Sequence, residues 1–130
     1  MSIRSTVDFV IDSKGDVTNT QVTGTFTAKT KLSMKEILRQ DELYRQILGV
    51  NSQEASEHSK DIASALSYLA THIIGCPDIW KALENGMKCE DLNIIADINN
   101  RCREEIDKEY KKLSEEASAA ETILKTPPAV

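Results

Sequence analysis

The chain has 130 residues, a formal net charge of −5 and a pI of about 5.1. A surface of that sign disfavours non-specific binding to nucleic acid or to anionic membrane, both of which need a basic face; no run of Lys or Arg is present. The length suits one domain, since domains run to about 100–150 residues, and such a chain buries roughly two thirds of its unfolded surface without a disulfide or metal staple.

Hydrophobic residues make up 40% of the chain and aromatics 5%, so the expected core is modest and filled mainly by Leu, Ile and Ala. Met1-Ser2-Ile3-Arg4-Ser5 carries no apolar h-region, and the expectation is a chain without a secretory signal. No stretch approaches the ~18 apolar residues of a membrane span. The cysteines Cys76, Cys89 and Cys102 are odd in number and widely spaced, which points to reduced thiols in a cytoplasm.

The first segment, Thr6-Val7-Asp8-Phe9-Val10-Ile11, alternates. Val7, Phe9 and Ile11 fall on one face of a strand, with Thr6, Asp8 and Val10 on the other. Asp12 to Asp16 is a turn signal, because Gly15 tolerates positive φ and Asp and Ser bond nearby backbone. A second run, Val22 to Thr27, sets Val22, Gly24 and Phe26 against three threonines, which suit a half-exposed pleated surface. Gly24 inside this strand marks a bulge or a close backbone approach. An isolated hairpin is marginal in water, so this one must pack on helices or pair with another subunit.

Ser33-Met34-Lys35-Glu36 has the form of a capping box and opens a first helix. Its apolar stripe, expected to face the core, is Ile37, Leu38, Tyr44, Ile47 and Leu48, interrupted at Gln40-Asp41-Glu42, and Gly49 is its C-terminal stop. After a polar loop, Asn51 to Ala55, a second helix is expected from Ser56 to Ile74, with Ile62, Leu66, Leu69, Ile73 and Ile74 on its apolar stripe and Gly75 and Pro77 ending it. A short third helix, Asp78 to Asn85, carries Ile79, Trp80 and Leu83, and Gly86 closes it. Trp80 is expected to fill the core between the second and fourth helices. The fourth opens with Asp91 as N-cap and places Leu92, Ile95, Ile98, Cys102, Ile106, Tyr110, Leu113 and Ala117 on one stripe for more than seven turns. Between Arg101 and Glu121 five basic residues stand among seven acidic ones, the pattern of a solvated helix face. The fold class predicted is α+β: an N-terminal β-hairpin (6–28) on a mainly helical bundle of three to four helices (33–124), one domain over 1–125, with a flexible tail at 126–130.

Catalytic and metal-binding chemistry finds little support in these spacings. The cysteines lie 13 residues apart and His58 and His72 lie 14 apart, unlike the close pairs of a zinc site. Cys76 and His72 are near in sequence but meet at a helix end, where nothing orients one toward the other. Phosphate loops, dinucleotide fingerprints, nucleophile elbows and H-E-x-x-H are absent from the sequence. The expectation is a non-enzyme with no catalytic, cofactor-binding or metal-binding residues, one that works through surfaces.

The order of segments resembles the tail assembly chaperones of long-tailed bacteriophages, of the kind found in lambdoid and related siphophages. Gly24-Thr25-Phe26-Thr27-Ala28-Lys29 matches a G-T-F-x-x-K strand leading into a helix of the L-x-x-x-x-x-L-R-x-D type, here Leu32 to Asp41. Leu48-Gly49-Val50-Asn51, an alanine-rich helix ending before Pro77, Trp80 after that proline, and Asp91-Leu92-Asn93-Ile94-Ile95 continue the likeness, which spans residues 7 to 113. The resemblance implies a protein that oligomerises into a ring or spiral, coats and solubilises the tape measure protein, and helps recruit tail tube subunits through a longer frameshifted form. It implies the host cytoplasm, absence from the mature virion, and no nucleic acid, membrane or cofactor. The surfaces expected to carry this work are the hairpin around Val22 and Phe26 and the end of the fourth helix around Ile106, Tyr110 and Leu113. The alternative is a structural virion protein, a tail or head–tail connector component.

Overall fold

The computed structural model describes residues 4–49 and 54–125, with side chains through Glu115. The expected tail at 126–130 and the loop residues 51–53 lie outside the described residues. Two strands, β1 (Thr6–Lys14) and β2 (Gln21–Lys29), are followed by α1 (Met34–Leu48), α2 (Glu57–His72), β3 (Ile73–Gly75), α3 (Asp78–Ala82), a 3₁₀ turn (Glu84–Gly86) and α4 (Leu92–Lys125). The class is the α+β expected, with a three-stranded antiparallel sheet where a hairpin was predicted.

The alternation of β1 decides which side of the sheet is covered. Val7, Phe9, Ile11 and Ser13 are buried, while Thr6, Asp8, Val10 and Asp12 face outward. The β1–β2 ladder pairs Phe9 with Phe26, whose rings stack with centroids 5.5 Å apart, and Trp80 meets Phe26 edge-on at 6.1 Å. Trp80 is fully buried, as core filler should be, and its indole N–H has no hydrogen-bond partner among the described residues. Leu66 and Leu69 from α2 and Ile94, Ile95, Ile98, Cys102 and Ile106 from α4 complete one cluster with the sheet.

Gly24 has φ +143°, and a Cβ there would stand 2.6 Å from Pro77 Cγ. The close approach expected of this glycine is thus with the proline after β3. The third strand itself departs from expectation. The second helix ends at His72, two residues before the predicted Ile74, because Ile73–Gly75 pairs with β2 through Thr27 and Ala28. Ile73 and Ile74 fit a helical stripe in sequence; the sheet ladder outcompetes that propensity.

Asp91 stands immediately before α4, the N-cap position expected, and its backbone carbonyl accepts from Ile94 N, but its carboxylate turns toward the hairpin. Asp91 Oδ1 accepts from Val17 N at 2.7 Å and Thr18 N at 3.0 Å, and Oδ2 accepts from the Thr18 hydroxyl. The side chain is 1% exposed. A Cβ on Gly15 would sit 2.2 Å from Asp91 Cγ, so glycine is required there by space. Asn93 adds two contacts, accepting from Asp16 N at 3.1 Å and donating to Lys14 O at 2.8 Å, and Ser13 donates to Asp97 at 2.6 Å. The start of α4 therefore clasps the β1–β2 turn. At the other end of the sheet, Arg4 pairs with buried Glu109, and the Tyr110 hydroxyl donates to Thr30 O at 2.8 Å.

Candidate interaction surface

Two of the predicted surface patches divide differently in the fold. Val22 and Phe26 are 0% exposed and Ile106 is 5% exposed. They are core residues of this chain, because the hairpin turns its apolar face onto its own helices and Trp80 instead of offering it to a neighbour. Tyr110 is 44% exposed and Leu113 is half-buried; these two stay at the surface, with the Tyr110 hydroxyl already tied to Thr30.

The larger apolar surface lies on α1, which the sequence reading assigned mostly to the core. The helix begins as predicted. Ser33 accepts from Glu36 N while Glu36 accepts from Ser33 N, a complete capping box, and Gly49 at φ +85° ends the helix by donating to Arg45 O. The Lys29 ammonium beside Glu36, with the cap bonds from Ser33, lowers that carboxyl to about 2. Yet none of the fifteen residues of α1 is buried. Its inward positions include Glu36 and Gln40, held by Lys29 and by the Thr71 hydroxyl. The rotation that satisfies those polar side chains points the first part of the predicted stripe outward. Met34 is 75%, Ile37 46% and Leu38 70% exposed.

The second half of α1 lies along α2 and leaves two clefts. One, of 570 Å³, is lined by Ile47, Leu48, Ala55, Ser59 and Ile62. The other, of 390 Å³, lies between α1, α2 and the 3₁₀ turn, where Leu43, Ile47, Leu66 and Met87 supply apolar walls and Arg39 and Glu84 polar ones. Exposed Met87 at the rim of the second is an adaptable contact for an apolar partner.

The thiols and imidazole that chemistry would use are embedded in packing. Burial raises the Cys76 and Cys89 thiols and pushes Cys102 up to about 12, so all three are held as thiols at neutral pH. His72 Nδ1 lies 2.8 Å from Tyr68 O, which can only accept, so this nitrogen carries a proton. Its ring stacks on Tyr68 at 3.9 Å, and the Arg103 guanidinium lies over the same phenol ring. Burial lowers the His72 pKa and pushes Tyr68 up to about 12. Cys76 is not among the hydrogen-bond partners of His72. Among the described residues no group of three His, Cys, Asp or Glu stands close enough to hold a metal, and no helix is long and apolar enough to cross a membrane.

The α1 surface was missed in sequence because its residues obey helical spacing equally well facing in or out. The available signal was the polar Gln40-Asp41-Glu42 interruption. No family model, curated protein or solved structure matches the chain.

Proposed function

We propose that this chain is a phage tail assembly chaperone: a protein that self-associates, covers the apolar surface of a long helical tape measure protein in the host cytoplasm, and helps bring tail tube subunits to it. The observation that carries the reading is the state of α1. An amphipathic helix of fifteen residues with none buried keeps apolar surface available on two sides, at Met34, Ile37 and Leu38 and in the cleft walled by Leu43, Ile47, Leu66 and Met87. A groove of that kind accepts the apolar stripe of a helical segment, and a long helical protein with such stripes needs many coats before assembly. The segment order of residues 7–113 supports the family assignment.

Co-expression tests it. A tape measure protein made together with this chain is expected to move from the insoluble to the soluble fraction. Unchanged insolubility at full expression of both would remove the proposal. Presence of the chain in purified particles would favour the structural virion reading instead.

A further inference from the structure

We propose that the open edge of β1 is a docking site for an extended, basic segment of another protein, which joins the sheet as a fourth strand. The contact is separate from the α1 clefts and does not depend on what fills them.

The edge is long and regular. The sheet order is β1-β2-β3, so among the described residues β1 has a neighbouring strand on one side only. Its nine residues pair with β2 in unbroken register and include no proline, so neither bulge nor proline blunts it. Bonds that flank the ladder fix which groups face out: Thr30 N donates to Ser5 O, and Gly15 N donates to Thr20 O. The odd-numbered residues of β1 therefore direct their backbone groups at β2, and Thr6, Asp8, Val10 and Asp12 turn theirs outward. Among the described residues nothing bonds to the outward groups of these four, whereas Lys14 O accepts from Asn93.

Charge decides what the edge accepts. Asp8 and Asp12 are exposed on the same outer face, at i and i+4, with Val10 exposed between them. Each engages one carboxylate oxygen, Asp8 with Thr27 and Asp12 with Gln21 and Thr23, and leaves Oδ2 without a hydrogen bond among the described residues. The strand edge and the flank of α4 bound a groove of 360 Å³, where Asp97 adds a third carboxylate. The nearby cations are paired or terminal. Arg101 bonds to Glu104 and Glu105, Lys108 to Glu105 and Arg4 to Glu109, while Lys14 ends the strand. A segment with Lys or Arg at i and i+4 and a β-branched residue midway meets Asp8, Val10 and Asp12 across the new ladder. A second copy fits worse: full antiparallel overlap of two β1 strands centres on Val10 and sets Asp8 opposite Asp12 twice, like charge against like.

Peptide titration of the full chain, followed by amide NMR, tests it. The probe is Thr-Lys-Thr-Val-Thr-Lys-Thr, and its control carries Glu in place of both Lys. The lysine peptide should shift the amide signals of Thr6, Asp8, Val10 and Asp12 and slow their hydrogen exchange. The glutamate peptide should bind about tenfold more weakly or worse, because like charges then face each other. The double variant Asp8→Lys with Asp12→Lys, its fold checked by melting temperature, should reverse that preference. Equal binding of the two peptides, shifts that map away from β1, or a preference the folded variant leaves unchanged would overturn the proposal. Protection of the same four amides in the free chain, rising with its concentration, would overturn it too, by assigning the edge to a second copy. The tape measure reading stands on α1 and is decided separately by co-expression.

Discussion

Asp91 takes three hydrogen bonds from Val17 and Thr18, and the Thr18 hydroxyl and amide hold its carboxyl below its ordinary value of 3.8. A carboxylate whose folded pKa is depressed contributes stability above the unfolded value, and that contribution is lost as pH falls through the folded one. Asp91→Asn should therefore melt lower than wild type at pH 7 and lose less on acidification below about pH 4, read by circular dichroism; identical melts at pH 7 would contradict the clasp. His72 gives a second window. Burial lowers its pKa from 6.5, so the unfolded chain takes up the proton first and stability declines as pH falls below that value. His72→Asn should flatten the melting temperature across that window, and a slope equal to wild type would count against the assignment. Trp80, fully buried against Phe26, should cost about 3–5 kcal/mol when cut to Ala, measured by urea unfolding.

Elements were legible wherever the deciding neighbours were close in sequence. The Val7-Phe9-Ile11 alternation, the Ser33–Glu36 capping box and the Gly49 stop each need only a few adjacent residues, and each is present. Asp91 was placed rightly before α4, but the partners of its carboxylate lie 73 and 74 residues away, beyond any local capping rule. Ile73 and Ile74 were misread because a helical stripe and a strand accept the same side chains, and only pairing with β2 selects the strand. Ile37 and Leu38 were placed inside because apolar spacing fixes a face without saying which way it turns; Lys29 and Thr71, through Glu36 and Gln40, turn it outward. The same logic moved Val22 and Phe26 from a subunit contact to the core. Two outcomes follow for these elements. Gly24→Ala should destabilise by about 1–3 kcal/mol, since φ +143° and Pro77 both oppose a side chain there. Replacing Met34, Ile37 and Leu38 together by Ser should change monomer stability by no more than about 0.5 kcal/mol per site, yet cut solubilisation of a co-expressed tape measure protein. A large fall in urea midpoint would show instead that these side chains are structural.

For the whole molecule, the division of labour runs along the chain. The sheet, α2, α3 and the first five turns of α4 form one closed core, with the start of α4 locking the hairpin turn. Around that core α1 lies half-packed, and α4 continues past Tyr110, whose hydroxyl is tied to Thr30. An element that adds little to the core but keeps apolar surface is suited to covering another protein, and repetition of the unit would let it cover a long one. The central claim is therefore about stoichiometry as much as affinity. Light scattering on the complex purified after co-expression with the tape measure protein measures it directly. Many copies of this chain per tape measure chain are expected, with fewer when Met34, Ile37 and Leu38 are replaced. A tape measure protein that elutes alone, or carries a single copy, would contradict the account.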